Sequence, residues 1–352
     1  MPADSERPHL LSCDLAELER WLVAGGQQRY RARQILDWIY KKHVLDFAEM
    51  TNLSKQFRAW LTENAVVGSG TVARDSRAGD GTRKLLIAWP DGATTETVWI
   101  PAARRNTACI STQVGCPVGC RFCASGINGM QRNLTAGEIV EQAVLVSRMI
   151  TAEDEDQRLS NIVVMGMGEP LANYHAMIKA VRIINASWGL EIGARKITVS
   201  TVGMPKQIRQ LAREDLQLNL ALSLHAADDE LRRELVPWAR GVPVADLVEA
   251  CLRYFKETGR EITLEYVLLD GVNMMPRHAE GLGRIAKKLR ANVNLLRYNP
   301  VPGLPYKRPS SEAAYAFQQR LRDRGVNAHV RTSRGKDVDA ACGQLRRAEQ
   351  EG

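Results

Sequence analysis

From about residue 105 to 342 the chain alternates short apolar, β-rich runs with amphipathic helical runs, and this alternation restricts its fold more than any other feature. The strand candidates are TACIST, NIVVMGM, KITVST, LNLALSLH, EITLEYVLL, NVNLLRYNP and NAHVRTS. Between them lie AGEIVEQAVLVSRMI, YHAMIKAVRIINAS, VADLVEACLRYFKET and HAEGLGRIAKKLR, with apolar residues at three and four spacing. Strands joined by helices pair in parallel through right-handed crossovers, so the pattern implies an α/β domain. Six or seven such units imply a complete or partial (β/α) barrel, with its site at the carboxyl ends of the strands.

Upstream, DLAELERWLVAG, RARQILDWIYKKH and NLSKQFRAWLTENA read as three helices, the first stopped by Gly25 and Gly26 and the third capped by Asn52 or Ser54. KLLIAWP and TTETVWIP flank Asp91 and Gly92 in the pattern of a β-hairpin, expected to link the two larger parts. The chain is therefore divided into a helical accessory domain over 1–66, a hairpin extension and linker over 67–103, a barrel over 104–345 and a tail over 346–352. A hydrophobic fraction of 45% and a charged fraction of 25% are ordinary for a globular protein, and no apolar run is long enough to cross a bilayer. The first residues show no basic stretch followed by an apolar one, so the expectation is a cytoplasmic protein with no membrane partner. A net charge of +8 favours a polyanionic partner, although QQRYRARQ, RIAKKLR, PYKRP and RLRDRG each also read as solvated helix faces.

Seven cysteines, an odd number without an export signal, argue for metal or redox chemistry over a disulfide framework. Three of them, Cys116, Cys120 and Cys123, stand in GCPVGCRFCASG, directly after the first barrel strand. Soft thiolates on one loop select zinc or an iron–sulfur cluster, and no His or Cys follows at the interval a fourth zinc ligand needs. Three thiolates on a 4Fe-4S cluster leave one iron open. The amino and carboxylate groups of S-adenosylmethionine (SAM) chelate such an iron, and electron donation into the sulfonium releases a 5′-deoxyadenosyl radical. The motif resembles the radical SAM superfamily. Other strand ends suit SAM binding on that reading: Gly168 and Glu169 in GMGEP, then Ser200, Ser223, Leu224, His225 and Asn299. Taken singly, each of these reads as a strand cap or turn former.

A closer resemblance is carried by FCASGINGMQRNLTAGEIVEQ, MGMGEPLANY, SLHAADDELRRELVPW, LRYNPVPGLPY and RGKDVDAACGQL, together with MTNLSKQFR in the helical part. These segments are similar to the RlmN/Cfr family of RNA adenine methyltransferases over nearly the whole chain. The resemblance implies a partial radical SAM barrel, two SAM molecules per turnover, and methylation of adenine C2, or C8 in the other branch of the family. It implies that Cys342 is methylated first, that Cys109 later forms a transient disulfide with it, and that Glu96 accepts a proton. By itself Glu96 reads as an exposed strand glutamate, and Cys13 and Cys251 read as inert core thiols. Arg334 and Lys336 are expected to lower the pKa of Cys342. Expected partners are 23S rRNA, tRNA and a flavodoxin-type electron donor, with the chain a monomer and Arg29, Arg31, Arg33, Lys41 and Lys42 gripping phosphates. The rival readings are a radical SAM enzyme acting on something other than RNA, and a zinc or iron–sulfur RNA-binding module without catalysis.

Overall fold

A computed structural model describes residues 7–345; the 346–352 tail and the first six residues of the helical domain lie outside the described residues. Helices α1 (Leu15–Ala24), α2 (Arg31–Leu36) and α3 (Lys55–Asn64) form the amino-terminal module. Asp14 and Glu17 make a reciprocal capping box on α1, which stops at Gly25, and Ser54 caps α3 by accepting from the Phe57 amide. Asn52 instead braces α2's extension, its Oδ1 accepting from Trp38 Nε1 at 2.5 Å.

Ten strands form one sheet in the order β1 (Thr71–Arg77), β2 (Arg83–Ala88), β3 (Thr94–Ala102), β4 (Arg105–Cys109), β7 (Asn161–Val164), β8 (Ile197–Thr201), β9 (Asn219–Ser223), β10 (Ile262–Leu268), β11 (Asn292–Arg297), β12 (Ala328–Arg331). From β4 onward all neighbours are parallel, and β1 to β4 pair antiparallel. Among the described residues no pairing joins β1 to β12, so the barrel is partial. The 67–103 stretch thus supplies strands to the barrel sheet itself, joined to it where Val98 opposes Cys109. Strand β1, TVARDSR, has no apolar alternation because it is an exposed edge, and its charges blunt that edge against further pairing. A separate two-stranded ribbon, β5 (Gln113–Gly115) with β6 (Met130–Asn133), stands on the carboxyl side of β4.

Crossover helices α4 (Ala136–Glu153), α5 (Tyr174–Asn185), α6 (Pro205–Leu211), α7 (Asp229–Leu235), α8 (Val244–Thr258), α9 (Pro276–Leu289) and α10 (Ser311–Arg322) connect the parallel strands. One hydrophobic cluster runs from Leu18 and Phe57 of the module through Val140 and Val144 of α4 to Leu264 and Phe317, so module and barrel share a core. Their junction is polar as well. Glu141, fully buried on α4, accepts from the Ser69 and Gly70 amides and from Ser69 Oγ, and lies 3.3 Å from His9 Nε2. Gly137 makes room for this contact, since a Cβ there would sit 2.5 Å from His9 Nδ1.

Candidate active site

The three-cysteine loop is held at both ends by the β5–β6 ribbon, with the Cys116 amide donating to the Gly129 carbonyl at 3.1 Å. Gly115 has φ +78, and a Cβ there would meet the Gly129 oxygen at 2.0 Å, so only glycine fits. Cys116, Cys120 and Cys123 are free and half-buried against Val118, Phe122 and Tyr298. Burial pushes the Cys116 thiol up to about 12 and raises Cys120 and Cys123. A bound cation reverses that tendency, because thiols coordinate as thiolates. Among the described residues no three His, Cys, Asp or Glu side chains come together as a single metal ion requires. Three soft donors spread round one loop suit separate irons of a cluster better than one zinc ion.

The segment after β7 lies against the start of that loop. A Cβ on Gly166 would come within 2.6 Å of Ser111 Oγ; Gly168 has φ +105 and a Cβ there would come within 2.7 Å of Gln113 Cβ. Glu169 is buried; its carboxylate accepts from the Leu171 amide at 3.0 Å and the Val202 amide at 2.9 Å, and burial raises its pKa. Ser200 and Ser223, at adjacent strand ends, are 3.1 Å apart through their hydroxyls. Leu224 is wholly buried and offers only its backbone. His225 has φ +60, accepts from the Val267 amide through Nδ1 at 3.1 Å, and lies edge-on to Phe122 with centroids 4.8 Å apart. Burial lowers its pKa to about 3, so the ring is neutral with its proton on Nε2. Asn299 donates through Nδ2 to the Cys342 carbonyl at 3.2 Å and accepts through Oδ1 from Arg308 at 2.7 Å. The structure therefore gathers these residues along the carboxyl ends of β7, β8, β9 and β11, each already held by protein.

The carboxyl-terminal segment folds across this end. The Ala124 amide donates to the Gly343 carbonyl at 2.8 Å and Ser125 Oγ to the Leu345 carbonyl at 2.6 Å, which ties the Cys342 segment to the cysteine loop. Val98, Cys109 and Met167 pack with Ala340 and Leu345, so Cys109 and the Cys342 segment share one small core. Cys342 is open to solvent, yet protein surrounds it closely enough for desolvation to push its thiol up to about 11. Glu265 and Cys123 add to that rise, and the opposing cation is Arg331. The expectation for Arg334 and Lys336 is corrected here: Arg334 is turned to Asp80 at 3.9 Å, and neither cation is what opposes the rise at Cys342. Burial, then the neighbouring Cys342, push Cys109 up as well.

Glu96 departs from its sequence reading. It is 5% exposed and its Oε1 lies 2.8 Å from Lys84 Nζ. The neighbouring strands cover it, which the local sequence TTETVWIP does not reveal. Sequence reasoning also missed Gln113, which receives the Glu169 amide, Asn273, which ties Leu269, Val267 and His225, and Arg232, which spans the Leu224 and Val202 carbonyls. Arg232 lies within a segment that carries the resemblance, but its reach to Val202, like that of Gln113 to Glu169 and Asn273 to His225, joins segments far apart in the chain.

Comparison with known proteins adds the family. Residues 9–67 match the ribosomal RNA large subunit methyltransferase N-terminal domain and residues 110–279 the radical SAM superfamily. A Bacillus licheniformis protein named "Probable dual-specificity RNA methyltransferase RlmN" is 44% identical over 99% of this chain and 96% of its own length. The chain belongs to the RlmN family. A Geobacillus thermodenitrificans relative of the same name is 46% identical over 97% of this chain and 93% of its own. Among solved structures, a radical SAM methyltransferase from Sphaerobacter thermophilus superposes with a TM-score of 0.94 at 49% identity, covering 96% of this chain and 99% of that one. The RlmN-family fold therefore includes the β1–β3 extension and the module as well as the radical SAM barrel. Among the described residues no helix is long and apolar enough to cross a membrane.

Proposed function

We propose that this RlmN-family chain methylates adenine at C2 in RNA, in 23S rRNA at the peptidyl transferase centre and in tRNA beside the anticodon. The observation that carries the reading is the meeting of Cys109, the Cys342 segment and Glu96 on one face of the sheet, beside the three-cysteine loop. Adenine C2 lies between two ring nitrogens and is electron-poor, while the SAM methyl group is an electrophile, so direct polar transfer is unfavourable. A cysteine pair divides the reaction into stages. The Cys342 thiolate takes the methyl group by displacement from SAM. Cys116, Cys120 and Cys123 would hold a 4Fe-4S cluster, which with a second SAM would supply the radical chemistry that takes one hydrogen from that methyl group. Cys342 then delivers the carbon to the ring, joining RNA to protein; the ring proton would pass to Glu96, and the one electron released would return to the oxidised cluster that donated one to SAM. The Cys109 thiolate attacks the Cys342 sulfur, so the S–S bond forms as the S–C bond breaks, and the released carbon takes a proton to become the methyl group.

Gly168, Glu169, Ser200, Ser223, the Leu224 backbone, His225 and Asn299 would line the SAM site, with the Glu169 carboxylate matching the charge of the SAM amino group. Of the cations assigned to phosphate, Arg29 pairs with Glu19, Lys41 with Asp37, Arg31 lies 4.1 Å over Phe57 and Lys42 3.6 Å over Trp38. Phosphate contact would therefore share or displace those partners. Electrons would come from a flavodoxin-type donor in the cytoplasm, with the chain acting as a monomer. The test is anaerobic turnover on 23S rRNA fragments and on tRNA, followed by nucleoside mass spectrometry. 2-Methyladenosine in both is the expected product. 8-Methyladenosine would replace the C2 assignment, and 5′-deoxyadenosine without any methylated adenosine would remove RNA as the substrate.

A further inference from the structure

Lys84 lies opposite Val98 in the β2–β3 register, and Val98 lies opposite Cys109 in the β3–β4 register. Directly opposed residues point to the same side of a sheet, as do residues two apart along a strand. Lys84, Glu96 and Cys109 therefore share one face, the face on which Ala340 and Leu345 pack beside Val98 and Cys109. On it, Lys84 Nζ is 2.8 Å from Glu96 Oε1 and donates to the Asp339 carbonyl at 3.2 Å. The lysine side chain is 13% exposed and the glutamate 7%, so most of the pair is withdrawn from solvent and the ammonium is engaged by protein on two sides. Withdrawing two charges from water is costly, and a buried ion pair adds little stability over an apolar pair of the same size, so this placement points to use.

We infer that Lys84 is a positioning residue for proton removal: it keeps the Glu96 carboxylate ionised and aimed, and fastens it to the segment that carries Cys342. The inference rests on the proposed role of Glu96 as the base. In that step the adenine C2–H bond gives its proton to the carboxylate and its electron pair stays in the ring. A cation beside a carboxylate favours the charged form, which is the form a base needs. The same nitrogen fixes the distance between base and covalent adduct, because Asp339 is three residues from Cys342. Further ties hold the segment to the β1–β2 turn, with the Gly79 amide on Asp337 at 2.8 Å and the Gly335 amide on Asp80 at 3.1 Å. Loss of Lys84 therefore removes the link to the base without freeing the segment.

The experiment uses full-length, cluster-loaded Lys84→Met, Lys84→Gln and Lys84→Arg beside wild type and Glu96→Gln. Iron content, thermal unfolding, methylation of Cys342 by protein mass spectrometry, covalent RNA–protein adduct on denaturing gels, and kcat and KM for RNA are read on each. Lys84→Met and Lys84→Gln are expected to load iron and take the methyl group on Cys342, keep KM, lose kcat about tenfold or more and accumulate adduct, with Lys84→Arg restoring most of the rate. Product at the wild-type rate from Lys84→Gln overturns the inference. So does a loss confined to iron content, folding or KM that arginine does not rescue, since that describes a structural role. If Glu96→Gln itself forms product without stalling, the reading of Glu96 as the base falls; if it stalls while the lysine variants do not, only the inference about Lys84 falls.

Discussion

At the scale of single residues, the spacing of Cys116, Cys120 and Cys123 was legible because all three thiols lie within one loop, where sequence distance and spatial distance coincide. Glu96 was not, because its burial depends on strands that the residue's own neighbourhood does not describe. Cys342 shows the same limit: the cations nearest in sequence, Arg334 and Lys336, are not the one that opposes its raised pKa, which is Arg331 on β12. With its thiol at about 11, little thiolate exists at neutral pH, and acceptance of the methyl group should quicken about tenfold per pH unit in the alkaline range. Arg331→Ala should slow methylation of Cys342 a few-fold at fixed pH and Arg334→Ala should leave it unchanged, as read by mass spectrometry of the Cys342 peptide. The reverse ranking would restore the expectation drawn from sequence proximity.

At the scale of elements, each strand of the parallel barrel was legible as an apolar β-rich run, because β9 and β10 are buried almost throughout and β7, β8 and β11 bury alternate residues. β1, β5 and β6 were not, because an exposed edge strand and a ribbon of three- and four-residue strands impose no hydrophobic pattern. The ribbon nevertheless governs the cysteine loop through Gly115. Gly115→Ala places a Cβ 2.0 Å from the Gly129 oxygen at φ +78, so the loop ends must separate. Iron incorporation should fall by more than half while thermal stability drops by about 1–3 kcal/mol. Normal iron content would show that the ribbon does not set the spacing of the thiols. Glu169 is a comparable joint between β7 and β8: its two oxygens serve two backbone amides, and Glu169→Gln leaves one amide without an acceptor at a cost of about 1–3 kcal/mol. A calorimetric unfolding temperature equal to wild type would contradict that assignment.

At the scale of the whole molecule, the continuity of the 67–103 stretch with the barrel sheet was not readable from the sequence, since strand pairing is a long-range choice. The described chain also holds His225 neutral, its pKa lowered to about 3 by burial, and burial lowers His43 and His278 too. The sign follows from linkage: below about 6.5 an unfolded chain gains protons that the folded chain refuses, so stability is lost as pH falls from there toward 3. Unfolding temperatures should be level above about pH 7 and decline through pH 6 and 5; a level profile to pH 5 would contradict the neutral, buried His225. The most direct test of the relay itself is turnover with SAM bearing a fully deuterated methyl group, followed by mass spectrometry of the methylated adenosine. A route through Cys342 predicts a product methyl group that has lost one deuterium to 5′-deoxyadenosine, and no product from Cys342→Ala. A product that retains every deuterium, or that still forms in Cys342→Ala, would show direct transfer and contradict the account.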